Sequence, residues 1–191
     1  ASSEELGRRL AINPEQIRKD LAFFGQFGKK GVGYYVTELK ESIGSILGLD
    51  QHWNVAIIGM GHLGAALANY QGIARLGFRL AAIFDANPVV IGTRVGERRV
   101  EDITYLAEII AERDIRIGVI AVPAAAAQGV ADKLVAAGIR GIWNFAPVSL
   151  QVPPHIPFVS EDLSVGLSSL SYYLSHVSTD PNELSDKNSL N

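Results

Sequence analysis

The stretch VAIIGMGHLG, residues 55–64, decides the fold. Its first residues, Val55 to Ile58, are an unbroken apolar run, as in a strand buried on both faces. Gly59, Gly61 and Gly64 follow with the spacing G-x-G-x-x-G and lead into HLGAALANY, which reads as a helix. Asp85 ends the next apolar run, FRLAAIFD. A glycine triplet between strand and helix, with an acid closing the following strand, is the pattern of a dinucleotide site. Gly59 permits the tight turn, and Gly61 lets backbone approach a pyrophosphate at the helix N-terminus. Gly64 allows the helix to pack closely on the strand, and Met60, His62 and Leu63 complete the loop as cofactor-binding positions. Asp85 is expected to accept hydrogen bonds from the adenosine ribose and to repel a 2′-phosphate. NAD and NADH are therefore expected over their phosphorylated forms, and no arginine follows Asp85 until Arg94.

Strands and helices alternate on either side of Asp85. After FRLAAIFD come a helix in EDITYLAEIIAERD, a strand in IRIGVIAVP, a helix in AAAAQGVADKLVAAG, a strand in IRGIWNFAP and an edge strand in IPFVS. Apolar strands alternating with helices predict an α/β, doubly wound parallel sheet of Rossmann type over residues 51–160. Ligands of such sheets bind at the carboxyl ends of the strands. Val122 and Pro123 end one strand, and Asn144 and Phe145 end another, so these four are expected beside the nicotinamide half of the cofactor. A last helix is expected over 161–177, with Leu163, Leu167, Leu170 and Leu174 on one stripe. The polar tail, 178–191, reads as disordered.

Residues 1–50 have a different character. Ser2 and Glu5 form a capping box, and Asn13 with Pro14 starts a second helix carrying Ile17, Leu21 and Phe24 as its apolar stripe. Glycines 25, 28, 31 and 33 stop the helix, and YYV favours a strand, so a hairpin is expected. Thr37 is placed to cap a further helix running to Leu47. Two short helices joined by a tight turn, then a hairpin, make a winged helix-turn-helix that lacks its first helix, so the segment reads as N-terminally truncated. In that geometry Gln16, Arg18 and Lys19 face DNA from the second helix, and Lys29, Lys30 and Gly31 reach it from the tip of the wing.

Composition limits the function. The chain has 191 residues, a formal net charge of −3 and 48% hydrophobic residues, so it carries a real core and any basic surface must be local. It contains no cysteine, which excludes disulfides, thiolate metal sites and a cysteine nucleophile. Its apolar stretches are too short to span a membrane, and a cytoplasmic location is expected. The strand-end segments VPAAAA and NFAP carry no acid–base chemistry, while His52, His155 and His176 lie outside the strand-end loops. No catalytic residue and no metal set is expected. A chain that keeps a cofactor site without a reaction reads as a sensor of that cofactor.

IRKDLAFFGQFGKKGVGYYV, GMGHLGAALANY, IFDANP, GIWNFAP and EDLSVGLSSLSYYL, in this order, resemble the Rex family of redox-sensing transcriptional repressors. The resemblance covers residues 2 to about 176. It implies a homodimer that binds palindromic operator DNA with NAD, releases it when NADH binds, and exchanges its C-terminal helix between subunits. It also implies a switch role for Tyr70, after the fingerprint helix, and Asp162, at the start of the last helix. Two departures stand out: the family's additional N-terminal helix is missing, and Val89 and Val90 follow Pro88 where some members carry a basic residue. Two other readings are an NAD-dependent dehydrogenase and a CoA-binding domain of the synthetase type; Asp85 favours a dinucleotide over the latter.

Overall fold

The computed structural model describes residues 1–29 and 31–176. Lys30, the end of the expected last helix and the expected disordered tail, 178–191, lie outside the described residues.

The N-terminal unit opens with α1 (Ser3–Leu10), whose N-cap Ser2 accepts from the Glu5 N–H at 3.1 Å. Only half of the expected capping box forms, because the Glu5 carboxylate turns forward to Arg9, 3.0 Å away on the next turn. The link to α2 (Pro14–Phe24) is tight, and a Cβ on Gly7 would stand 2.6 Å from the Ile12 carbonyl. Asn13 caps α2 by accepting from the Glu15 N–H at 2.8 Å. Of the expected α2 stripe, Ile17 is buried and Leu21 half-buried, but Phe24 is exposed.

The hairpin is shorter than the sequence suggests. Its ladder is a single antiparallel bridge, Lys29 to Gly33, and the residues after it form no strand. Tyr34 instead exchanges backbone hydrogen bonds with Ala1, at 2.7 and 2.8 Å. The next helix, α3 (Val36–Ile46), begins one residue before the expected cap Thr37, with Tyr35 at its N-cap. The β propensity of YYV loses here to the glycines on its N-terminal side: Gly28, Gly31 and Gly33 all have positive φ and fold the segment into a turn.

A seven-stranded sheet follows in the order β3-β4-β2-β1-β5-β6-β7. Its strands are β1 (Trp53–Ile58), β2 (Phe78–Asp85), β3 (Arg94–Val95), β4 (Arg98–Asp102), β5 (Ile115–Ile120), β6 (Gly141–Asn144) and β7 (Phe158–Ser160). All pairings are parallel except β3 with β4. The β3–β4 hairpin overturns the sequence expectation that a helix begins at Glu101. RRVED alternates and buries Val100 beside Ile83, so it completes the sheet edge, and the helix α6 (Leu106–Glu112) starts only after a 3₁₀ turn.

One face of the sheet is fully covered. Helices α6 and α7 (Ala124–Ala136) pack Leu106, Ile110, Val130 and Leu134 against Ala56, Ile58, Ala82 and Phe84. On the other face, α4 (His62–Ala68) covers Val55, Ile57 and Val119, and the short α5 (Gln71–Arg75) lies beside it. The rest of this second face is an apolar groove of about 460 Å³ between α5 and the strands β5 to β7. The last helix, α8 (Leu163–His176), leaves the body of the chain, and every one of its residues is exposed.

Candidate functional site

The glycine loop sits at the carboxyl edge of the sheet, between β1 and α4. Gly59 has φ +101, and a Cβ there would stand 2.5 Å from the Ala121 carbonyl and 2.8 Å from Val122 Cγ1. The turn is therefore closed against the end of β5 and tolerates only glycine. A Cβ on Gly64 would collide with the Gly59 carbonyl, so the first turn of α4 rests directly on the loop. Gly61, the N-cap of α4, meets nothing within 4 Å of its Cβ position and has no side-chain cap. The loop is thus tight at Gly59 and Gly64 and open at Gly61, where the sequence leads one to expect a pyrophosphate.

Asp85 is tied to the loop. Its Oδ2 accepts from the Met60 N–H at 2.6 Å, and its Oδ1 accepts from the Asn87 N–H at 2.8 Å. A carboxylate has about four lone-pair sites, so it retains acceptor capacity for a ribose diol. The acid expected to read the sugar also fixes the loop expected to hold the phosphates. His62 and Leu63 are the first residues of α4, His62 exposed and Leu63 half-buried.

The strand-end segments converge on the same edge. The Ala121 N–H donates to the Ile58 carbonyl at 2.8 Å, and the Phe145 N–H donates to the Ile120 carbonyl at 2.9 Å. Val122 is partly buried and packs against the main core, and Pro123 is the N-cap of α7. Phe145 packs on Trp143, with ring centroids 4.5 Å apart. Asn144 takes a different role from the expected one. It is completely buried, and its side chain is spent inside the protein on Ala146, Val148 and Ser160. It braces the strand end from within.

Tyr70 is separated from the fingerprint helix, which ends at Ala68, and stands at the N-cap of α5 with 64% of its surface exposed. It lines the apolar groove together with Trp143 and Glu161. Asp162 precedes α8 and accepts from both the N–H and the hydroxyl of Ser164, at 2.8 and 2.6 Å. Those bonds, the hydroxyl first, hold its carboxyl below the usual carboxylate range. Sequence reasoning missed Trp143 and Glu161. Trp143 read as one more apolar strand residue, and only its place beside the strand-end motif NFAP marks it.

The basic surface lies on the N-terminal unit. Gln16, Arg18 and Lys19 are all exposed on α2, and each has a partner in its own unit. Gln16 donates to Asp20 at 2.6 Å, Lys19 pairs with Glu15 at 3.0 Å, and Arg18 donates to Ser3 at 2.8 Å. Lys29 stands over the Tyr35 ring at 5.9 Å, next to the exposed Gly31. Among the described residues no cluster of histidine and acid side chains could hold a metal ion, and no helix is long and apolar enough to cross a membrane.

Comparison with known proteins shows the family. The redox-sensing transcriptional repressor Rex of Clostridium perfringens is 47% identical over 175 residues, covering 92% of this chain and 82% of the relative. The chain belongs to the Rex family. Among solved structures, that of RSP, a Rex-family repressor, in complex with beta-NAD+ and operator DNA matches with a TM-score of 0.88 and 42% identity. That match covers 98% of this chain and 84% of RSP. The structure of RSP in complex with beta-NADH matches with a TM-score of 0.82 and 40% identity, over 98% of this chain and 85% of that one. Residues 50–148 also belong to the family described as CoA binding domain, so the CoA reading raised from the sequence shares its fold family with this Rex sheet. The Rex match extends across both the helical N-terminal unit and the sheet.

Proposed function

We propose that this Rex-family chain is a transcriptional repressor that reads the NADH/NAD ratio, holding operator DNA with NAD and releasing it when NADH binds. The observation that carries the reading is the union, in one chain, of a helix-turn-helix pair with a glycine loop whose partner acid is tied to it at 2.6 Å. The similarity to structures of RSP with beta-NAD+ and operator DNA, and with beta-NADH, supports it. Residues 1–50 are the DNA-binding unit, 51–160 the NAD(H) unit and 161–177 the dimerisation helix, in a cytoplasmic homodimer.

The residues divide the work. Gly59 to Gly64 receive the pyrophosphate, with Gly61 opening onto solvent and the free first-turn amides of α4 facing it. Asp85 accepts from the ribose and excludes a 2′-phosphate. Val122, Pro123 and Phe145 border the nicotinamide, with Asn144 bracing that edge from beneath. Bound nicotinamide supplies a charge difference, since the oxidised ring is cationic and the reduced ring neutral. Asp162, held ionised by Ser164, is a fixed negative charge at the root of α8. The leucine stripe of α8 is exposed among the described residues, and the apolar groove by Tyr70 is its complement on a second subunit. A charge at the root of an exchanged helix feels the ring on the partner, and so biases two arrangements of the dimer. Tenfold discrimination at each of two sites supplies about 2.8 kcal/mol, because each tenfold is worth about 1.4 kcal/mol. Reading heads that must match the spacing of half-sites lose DNA when the subunits rotate.

The fold also suits an oxidoreductase, but the relatives named above are repressors and the strand ends carry VPAAAA and NFAP. The deciding experiment measures operator binding across NADH/NAD ratios at fixed total nucleotide. Release by NADH where NAD leaves the complex intact is expected. A flat response would return the oxidoreductase reading to first place.

A further inference from the structure

Among the described residues every residue of α8 is exposed, so within its own subunit the helix is held at its root. That root is held by one strand end. The Glu161 N–H donates to the Asn144 carbonyl at 2.8 Å. Asn144 Nδ2 donates to Ser160 Oγ at 3.0 Å, and the Trp143 indole N–H reaches Glu161 Oε1 at 3.4 Å.

The same asparagine holds the other side of the strand end. Its Oδ1 accepts from the Ala146 N–H at 3.0 Å, and Nδ2 also donates to the Ala146 and Val148 carbonyls at 2.9 and 3.3 Å. Its two amide hydrogens are thus shared among three acceptors, two in the loop 145–148 and one on the last residue of β7. The side chain is wholly buried, and among the described residues no buried side-chain polar atom lacks a partner. A satisfied, buried amide has one geometry. It cannot follow the loop without pulling on Ser160, because the Nδ2 hydrogens have no water to turn to.

From this juxtaposition we infer that Asn144 is the positioning residue that couples the nicotinamide-side loop, 145–148, to the root of α8 through the Ser160 hydroxyl. A shift of Phe145 under the ring is relayed by the Asn144 amide to Ser160, and from there to Glu161 and Asp162. The inference rests on the sensor reading and adds to it the route by which ring occupancy reaches the exchanged helix.

Ser160 allows the coupling to be tested without touching the buried amide. Its side chain is exposed at the sheet edge and takes no part in the glycine loop or the strand ends that face the cofactor. The measurement is operator affinity with and without saturating NADH, on duplex selected by the protein itself, with NADH affinity and thermal midpoint read in parallel. In S160A the ratio of the two operator affinities should fall about 2- to 10-fold, the span of one hydrogen bond. NADH affinity should stay at the wild-type value, with the thermal midpoint lowered only by the loss of that one hydrogen bond. S160T restores a hydroxyl on the same backbone and should restore the ratio. A wild-type ratio in S160A would overturn the inference, as would an equal loss in S160A and S160T, which would assign the effect to packing. Weakened NADH binding in S160A would also overturn it, by making Ser160 part of the ligand site. A wild-type protein whose operator affinity ignores NADH would instead overturn the sensor reading.

Discussion

Replacing Asp85 by alanine tests the cofactor site at its most connected side chain. The carboxylate accepts two backbone hydrogen bonds, from Met60 at 2.6 Å and Asn87 at 2.8 Å, and has capacity left for the ribose. Hydrogen bonds to a charged group contribute about 1.5–3 kcal/mol each. Loss of one such bond to the ribose weakens NADH binding about 10- to 150-fold. The Met60 N–H is also set free, so the loop loses its anchor and the affinity falls toward the upper end of that range. NADPH suffers the same loss of the anchor but gains relief from repulsion of its 2′-phosphate, so the preference for NADH should shrink by more than about tenfold. D85N separates the two effects. Its amide oxygen can still accept from Met60 or from Asn87, but not from both with proper geometry, since the other end is a donor. It should therefore keep more NADH affinity than D85A while losing the same selectivity against NADPH. The assay is a fluorescence titration of wild type, D85A and D85N with NADH and NADPH. An NADH affinity in D85A within twofold of wild type would refute the reasoning, as would wild-type protein that binds both nucleotides equally.

The glycine loop offers a paired test: Gly64→Ala forces a Cβ into the Gly59 carbonyl and should abolish NADH binding with a lowered thermal midpoint, whereas Gly61→Ala meets nothing in the free protein and should lower NADH affinity alone. Deleting the chain from Leu163 onward should convert a dimer into monomer or insoluble protein, read by light scattering, and a soluble dimer of the shortened chain would remove α8 from the interface. On DNA, Lys29→Ala should lower operator affinity and reduce the slope of log K against log salt by about 0.9, while Arg18→Ala should cost about 1–3 kcal/mol if it reads a base edge. Asp162 has a depressed carboxyl pKa, so its stabilising contact with Ser164 is complete at neutral pH and is lost as the pH falls below the usual carboxylate range, near 4. The NADH response measured between pH 6 and 8 should therefore be flat as far as Asp162 is concerned, and a titration there would assign the response to another group.

The parts of this protein that were legible in its sequence are those whose physics is local. The strand β1, the glycine loop and Asp85 could be placed because each glycine answers a constraint within a few residues, and the structure shows those constraints as the close approaches at Gly59 and Gly64. The caps at Ser2 and Asn13 were legible for the same reason. The errors fall where distant backbone decides. The helix expected from Glu101 onward rests on the stripe Ile103, Leu106 and Ile110, yet Glu101 and Asp102 instead finish β4, which pairs in parallel with β2. The strand expected from YYV gives way to a helix start, because Tyr34 pairs with Ala1 at the far end of the unit.

The site divides along the same line. The place of Asp85 at the end of β2 was legible, since it is a sequence fact, but its hold on Met60 is a contact between segments 25 residues apart. Asn144 was expected at the cofactor edge from its place in NFAP, and that place is where the chain puts it. What the sequence does not carry is which way the amide points. In a parallel strand alternate side chains face opposite sides, and the fully covered face of this sheet is set by α6 and α7, which are remote in the chain. The direction of Asn144 is therefore a property of the layers. Once the layers are known, the amide can point only inward, and an inward amide must find partners, because an unpaired buried one costs about 1–3 kcal/mol. The nearest acceptors are the loop carbonyls and Ser160. The link from cofactor edge to α8 thus follows from burial: the loop and the helix root share one asparagine because it has no water to satisfy it.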